Sequence, residues 1–355
     1  MRKLLICAVL LSALPAAAQQ SWQFAVSGDS RDCGDVIMPA IAASAGATQS
    51  QFYWHLGDFR KIYDFDEDMQ AVKATNIIAY EAAAWPDFIA QQVAPFKLQV
   101  FLSPGNHEII QPKTRDAWLE QFADWLMQPE IVALRLRDDP NDHQLKAYYH
   151  WIRQGIDFIS VDNADYAFDD AQEKWIEKRI DADVGDPSIK TIVLGGHAAL
   201  PHSQSCDHSM NQTANGERSG VQAYKKLLAA AKAGKKVYLL ASHSHFLQTN
   251  VFDTDYWRNN GGVLPGWIVG TAGAVRYRLP AGTQGLENTY GYLLATAAAD
   301  GSIQFDFQEV KRADIPPGTV TRYGAKLVDW CFSDNKDTRD PKPTKCAANV
   351  PCAMP

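Results

Sequence analysis

The chain contains 355 residues, of which 46% are hydrophobic and 21% are charged, so it can bury a large core and is not expected to be disordered. Its 41 acidic residues outnumber its 34 basic residues, and the formal net charge of -7 argues against a nucleic-acid-binding surface, because such surfaces are normally basic. We expect one large domain rather than two.

The first 18 residues have the three parts of a secretory signal. Arg2 and Lys3 are basic, residues 4–14 are apolar, and alanines at 16–18 precede an expected cleavage site before Gln19. The apolar run is shorter than the roughly 20 residues that a membrane-spanning helix needs, and no other segment of the chain could span a membrane. We therefore predict a signal peptide at residues 1–18 and a protein that is secreted or periplasmic.

Five of the six cysteines remain once Cys7 leaves with the signal. In an oxidising compartment this odd number predicts one or two disulfides and at least one free thiol. Three of the five lie in a proline- and charge-rich extension, residues 311–355, which shows little helical or strand patterning and which a disulfide would tie down. The partners of Cys33 and Cys206 stay open.

The first third of the chain alternates between strand and helix patterns. Residues 22–27 and 51–56 are predicted strands, and residues 35–45 form a predicted helix between them, which makes a βαβ unit. A long alanine-rich helical stretch at 66–91, broken near Pro86, then leads to a short apolar strand at 98–102.

The middle of the chain continues the alternation. Thr114 is a predicted helix cap before an apolar stripe, a surface loop is predicted at 136–146, and Asp170 with Glu173 resembles a capping box. A later helix is predicted near 221–233. Strands are predicted at 148–152, 157–161, 190–194 and 236–241, followed by short β segments at 246–252, 267–270, 290–296 and 303–309.

Polar side chains follow five of these strands where they end. Asp29 and Asp58 follow the first two, and a Pro-Gly turn after residue 102 leads to Asn106 and His107. His197 and the pair His243 and His245 follow two later strands. Open α/β sheets keep their chemistry at the carboxyl ends of the strands, so these side chains are candidates for one site.

The ordered set resembles the signature of the calcineurin-like metallophosphoesterases, which include the purple acid phosphatases. That signature reads Asp-x-His, Gly-Asp, Gly-Asn-His-Asp/Glu, His and Gly-His-x-His, and the resemblance covers roughly residues 22–309. It implies a four-layer α-β-β-α sandwich of two mixed sheets, whereas periodicity alone predicts only an α/β fold. We place this domain at residues 19–310. Two positions depart from the pattern, since Arg31 replaces a metal-binding histidine of many members and Ser242 replaces a glycine.

The resemblance also implies two divalent or trivalent metal ions, such as Fe, Zn or Mn. Asp58 would bridge the two ions, and His107 would act as the acid for the leaving group. Glu108 is either a support for His107 or a solvated loop acid. The remaining ligands would divide between the ions, with Asp29 and His245 on the first and Asn106, His197 and His243 on the second.

Two arginines are candidate phosphate contacts. The guanidinium groups of Arg31 and Arg60 could each hold a phosphate oxygen by forked hydrogen bonds, or could pair with nearby acids such as Asp32 or Asp64.

Other residues near the motifs carry weaker signals. His202 and His208 lie in a polar loop where they either contact substrate or are solvated, and His55, His143 and His150 are expected to be structural. Tyr63 follows Asp58 by five residues rather than the three of purple acid phosphatases, which argues against a tyrosinate-iron site.

These features predict an exported dinuclear metal-dependent phosphoesterase that hydrolyses a phosphomonoester or phosphodiester by attack of a metal-bound hydroxide. A small phosphate ester would be the substrate, with no nucleic-acid surface and no membrane span. The alternatives are a phosphodiesterase acting on nucleotides or lipid headgroups, a one-metal hydrolase, because Arg31 removes a ligand, and a non-catalytic binding member of the same fold.

Overall fold

The computed structural model of the protein describes residues 21–72, 76–205 and 208–339. The predicted signal peptide and the cysteines at 206, 346 and 352 lie outside these ranges. Within them, the strands are β1 (Trp22–Ser27), β2 (Ser50–His55), β3 (Gln99–Leu102), β4 (Tyr149–Arg153), β5 (Ile156–Ser160), β6 (Thr191–Gly195), β7 (Lys236–Ala241), β8 (Leu247–Thr249), β9 (Gly266–Val269), β10 (Gln284–Leu286), β11 (Gly291–Ala297) and β12 (Ile303–Glu309). The α-helices are α1 (Gly34–Gly46), α2 (Glu67–Val72), α3 (Ile77–Phe88), α4 (Arg115–Gln121), α5 (Ala123–Leu126), α6 (Pro129–Asp138), α7 (Asp170–Gly185), α8 (Ala214–Lys232), α9 (Asp255–Asn259), α10 (Pro317–Tyr323) and α11 (Ala325–Ser333).

The strands form two mixed sheets. The first has the order β12-β11-β1-β2-β3, with β1, β2 and β3 parallel and β11 and β12 antiparallel. The second has the order β10-β8-β9-β7-β6-β5-β4, with a parallel centre from β5 through β6 and β7 to β9. Parallel centres in both sheets bring several carboxyl ends of strands to shared edges, which is the condition for the predicted site.

Aromatic side chains fill the space between the two sheets. The ring of Phe24 on β1 lies 5.0 Å from that of Phe158 on β5, and Trp54 on β2 lies 5.0 Å from Trp151 on β4. Such edge-to-face pairs add about 0.5–1.5 kcal/mol each to the energy of burial. Helix α1 packs on the outer face of the first sheet, and α8 packs on the second beside α7. The predicted four-layer α-β-β-α sandwich is therefore confirmed.

The helical boundaries differ from prediction in several places. The stretch at 66–91 forms two helices, α2 and α3, and α3 runs through Pro86 into a π-helical turn, Ile89–Val93, so the predicted break at that proline is wrong. Helix α6 extends to Asp138, into the predicted loop. Helix α8 begins seven residues earlier than predicted because Thr213 caps it, and its first turns are polar and contain two glycines that hide the apolar period.

The extension after residue 310 is more ordered than its sequence indicates. Helices α10 and α11 contact α1 and α2, and Cys331 on α11 forms a disulfide with Cys33 at the start of α1. The Arg276 side chain donates hydrogen bonds to the carbonyls of Cys331 and Phe332. The expectation that this extension has little helical or strand structure is thus wrong for residues 317–333. Among the described residues, no helix combines the length and the apolar character that crossing a membrane requires.

Candidate metal centre

The structure brings the predicted ligands together where the two sheets meet. Asp29 follows β1, Asp58 follows β2, Asn106 follows β3, and the histidines follow β6 and β7. Three of these residues have left-handed backbone angles, with φ of 59° at Asp29, 60° at Asp58 and 69° at His243. Residues other than glycine rarely adopt this conformation, and it clusters at functional sites.

Asp58, His197 and His243 form the centre of the site. Each is buried, and one ligand atom from each lies within 4.8 Å of the others. His197 Nε2 lies 3.3 Å from Asp58 Oδ1 and 3.0 Å from His243 Nδ1. The side-chain oxygen of Asn106 lies 3.0 Å from the same nitrogen. Two imidazoles, a carboxylate and an amide oxygen thus face one point.

The orientation of His197 suits a metal ligand. Its Nδ1–H donates to the carbonyl oxygen of Leu56 at 2.9 Å, which fixes the ring with Nε2 directed at the centre. Burial would lower the pKa of His197, but Asp58 and Asp29 raise it to about 9. Burial would likewise raise the pKa of Asp58, but His107 and His197 hold it well below its ordinary value. The carboxylates therefore favour positive charge here, and the donor set fits a cation with oxygen and nitrogen ligands.

Asp29 and His245 lie beside this centre. Asp29 Oδ2 accepts hydrogen bonds from the backbone N–H of His243, at 2.6 Å, and from the hydroxyl of Ser242. Ser242, which departs from the family pattern, thus fixes Asp29. His245 Nδ1–H donates to the carbonyl of Val275 at 2.7 Å, and its Nε2 lies 3.3 Å from Asp29 Oδ1.

Arg31 lies among these groups. The residue is 7% exposed, and its Nη2 donates to His245 Nε2 at 2.8 Å. Nη1 contacts His107 Nε2 and lies 3.9 Å from Asp58 Oδ2. The structure therefore places the Arg31 guanidinium at the centre, and its predicted contact with substrate phosphate stays a prediction.

His107 is buried next to Asp58. Its Nδ1–H donates to the carbonyl of Lys61 at 2.7 Å, and its Nε2 lies 3.6 Å from Asp58 Oδ2. Burial, assisted by Arg31 and opposed by Asp58, lowers its pKa to about 4. The ring is therefore neutral near pH 7, with the Nε2 lone pair directed into the site.

Glu108 is fully buried, so the alternative of a solvated loop acid is wrong. Its carboxylate accepts backbone N–H groups of Asp58 at 2.8 Å, Phe59 at 3.0 Å and Gly105 at 2.7 Å. It joins the loop after β2 to the loop after β3, rather than supporting the His107 ring. The loops approach so closely that a Cβ on Gly105 would lie 2.3 Å from Asp58 Oδ1.

Arg60 does not reach this centre. It is fully buried, and its guanidinium pairs with Asp35 at 2.5 Å, Asp87 at 2.8 Å and Asp68 at 3.1 Å. Asp66 lies 3.8 Å away. With no exposed surface and several acids already around it, Arg60 is a structural residue, and the predicted phosphate contact is corrected. Asp32, one of the expected partners, pairs with Lys61 instead at 2.8 Å.

The two histidines of the polar loop, His202 and His208, differ in their position relative to the site. The His208 ring lies 5.3 Å from the ring of His243, beside the site. His202 turns away, pairing with Glu217 at 3.0 Å and stacking on Tyr256. The other histidines match the structural prediction: His55 bonds Ser30, His150 bonds Asp157, and His143 is exposed.

Two tyrosines border the site without a signal in the sequence. The hydroxyl of Tyr166 lies 3.4 Å from His243 Nε2, and the ring of Tyr277 stacks on His245 at 4.1 Å. Both lie in irregular segments outside the motifs, so only the fold brings them here. Tyr63 is 58% exposed, and its ring lies 5.3 Å from that of His107.

Comparison with solved structures finds similar folds at low sequence identity. The purple acid phosphatase PPD1 from seeds of yellow lupin (Lupinus luteus) matches with a TM-score of 0.52 and 15% identity, over 82% of this chain and 52% of that chain. A structure of PhoD matches with a TM-score of 0.49 and 14% identity, over 89% of this chain and 79% of that chain. No family model and no curated protein matches the sequence.

The chain spans about half the length of the lupin structure. At this identity the similarity shows the fold alone, which is the two-sheet sandwich described above.

Proposed function

We propose that the protein is an exported, metal-dependent phosphoesterase that hydrolyses a small phosphomonoester or phosphodiester. The observation that carries this proposal is the convergence of Asp58, Asn106, His197 and His243 on one buried point. These side chains come from four loops that are far apart in sequence, and their donor atoms fit a cation.

The ligand set supports a role in phosphate chemistry. A cation held there would lower the pKa of a water molecule and neutralise charge that develops on the phosphate. The predicted second ion, on Asp29, Asp58 and His245, remains a prediction. The contacts of Arg31 favour a single ion instead.

His107 is the proposed proton donor for the leaving oxygen. The bond from its Nδ1–H to the Lys61 carbonyl fixes the ring, and its Nε2 faces the space between Arg31 and Asp58. With a pKa of about 4, the ring must first gain a proton near the negative charge of a bound phosphate. When a water oxygen bonds to phosphorus and releases a proton to solvent, the bond from phosphorus to the leaving oxygen breaks, and the proton on His107 would pass to that oxygen.

Export is supported by two independent features. Residues 1–18 have the pattern of a secretory signal, and the Cys33–Cys331 disulfide joins residues 298 positions apart. Disulfides persist mainly in oxidising compartments. A secreted or periplasmic location follows from the proposal.

The proposal is tested on the purified mature chain with generic phosphate esters. We expect hydrolysis of p-nitrophenyl phosphate or bis(p-nitrophenyl) phosphate that a chelator abolishes and added metal restores. Asp58→Asn should remove nearly all activity while circular dichroism stays unchanged. Asp64→Asn, which changes an exposed acid of the same loop, should behave as wild type.

Two results would contradict the proposal. One is native-like activity in folded Asp58→Asn protein. The other is the absence of hydrolysis of every phosphate ester by metal-loaded wild type.

A further inference from the structure

The guanidinium of Arg31 lies where the family pattern predicts the first metal ion. It is positioned between His245 Nε2, 2.8 Å from Nη2, and Asp58 Oδ2, 3.9 Å from Nη1. Asp58 and His245 are two of the three residues assigned to that ion, and Asp29 contacts His245. A cation supplied by the chain itself therefore lies among the ligands.

The donor atoms of this position do not fit an additional metal ion. His245 uses Nδ1–H for the Val275 carbonyl, so Nε2 holds its one lone pair, and Arg31 already uses that lone pair. Asp29 Oδ2 is occupied by Ser242 and His243. Two carboxylate oxygens remain, Asp29 Oδ1 and Asp58 Oδ2, both buried and without a hydrogen-bond partner. A metal ion would have to displace a guanidinium that carries its charge at any physiological pH.

The backbone around Arg31 is held on both sides. The N–H of Ser30 donates to the Asp58 carbonyl at 2.9 Å, and the N–H of Asp32 donates to Asp66 Oδ1 at 2.6 Å. Asp32 Oδ2 accepts the N–H of Val275 at 3.0 Å. Cys33 follows directly and carries the disulfide to Cys331. Arg31 therefore projects from a fixed loop into a buried space.

We propose that this protein holds one metal ion, in the set Asp58, Asn106, His197 and His243, and that the Arg31 guanidinium serves as the second cation of the site. The inference rests on the proposed phosphoesterase function. The guanidinium would offer a phosphate two parallel N–H groups, a geometry that a spherical ion does not impose. One of the two positive charges facing the substrate would then be permanent.

The test is metal stoichiometry, measured by elemental analysis after loading with Mn²⁺ and gel filtration. We expect one ion per chain in wild type and two in Arg31→His, which supplies a lone pair in place of a charge. Arg31→Lys keeps a cation and should stay at one ion. Arg258→His, at an exposed arginine that pairs with Asp253 and Asp255, is the matched control and should also stay at one.

Electron paramagnetic resonance gives a second readout that does not depend on activity. Two Mn²⁺ ions sharing Asp58 would be spin-coupled, so we expect a coupled spectrum in Arg31→His and an isolated-ion spectrum in wild type. Two ions per wild-type chain, or one ion in folded Arg31→His, would overturn the inference.

The failure of this inference is distinguishable from failure of the proposed function. Two ions with phosphate-ester hydrolysis would contradict only the single-ion site. One ion without hydrolysis of any phosphate ester would contradict only the phosphoesterase. No bound ion in any variant would overturn both.

Discussion

Replacing Glu108 by glutamine should weaken metal binding although Glu108 is not a proposed ligand. Its carboxylate accepts three backbone N–H groups, two on the loop that carries Asp58 and one from Gly105, next to Asn106. A glutamine has one oxygen and one NH₂ group in the same space. Its best orientation keeps the bonds to Asp58 and Gly105 and directs the NH₂ group at the N–H of Phe59.

The magnitude follows from that loss. A hydrogen bond to a charged group contributes about 1.5–3 kcal/mol, and the two facing donors add repulsion. At 1.4 kcal/mol per factor of ten, this loss of energy corresponds to a roughly 10- to 100-fold loss of metal affinity. That range is usual for residues that hold metal ligands in position. Burial and Asp58 raise the pKa of Glu108 to about 8, so most of this carboxyl is protonated near pH 7 and the full loss is expected only above pH 8, where it is ionised.

The assay is competition for Zn²⁺ against a fluorescent chelator, with folding checked by circular dichroism. Glu120→Gln makes the same chemical change on an exposed face of α4 and should leave affinity unchanged. If folded Glu108→Gln binds Zn²⁺ as tightly as wild type, the two loops do not depend on this carboxylate and the reasoning is refuted.

Three further changes have distinct expected outcomes. His107→Ala should lower turnover roughly 100-fold or more with metal content unchanged, and loss of metal would make His107 a ligand. Arg60→Met should lower the free energy of unfolding by about 3–5 kcal/mol, because it leaves buried acids unpaired; an unchanged urea midpoint would contradict this. Asp157 and Asp138 overcome burial and raise the pKa of His150 to about 9, so its stabilisation is complete below pH 6.5 and lost as pH rises through 9. In His150→Gln the melting temperature should therefore depend less on pH between 6.5 and 9. An unchanged pH dependence would refute this role of His150.

The strands and the loops that follow them could be predicted from the sequence because their signals are local. An apolar run followed by Asp, Asn-His or His-x-His indicates both a buried strand and its carboxyl end. Parallel pairing of the strands then brings these carboxyl ends to one edge of the sheet. The predicted ligands converge for this reason. The same local argument predicted the Thr114 cap, which the structure contains. The single helix predicted after it is divided into α4 and α5, and Trp118, Phe122 and Leu126 of its apolar stripe are buried.

The roles of Arg31, Arg60 and Glu108 were decided only by tertiary structure. Arg31 and Arg60 each stand two residues after a predicted ligand, so the sequence treats them alike, yet one enters the centre and the other turns into a cluster of acids. Glu108 bonds backbone groups about 50 positions away. Charged side chains are long and their partners are fixed by chain folding, so the groups around a buried charge, and with them its role, have no local signal in the sequence.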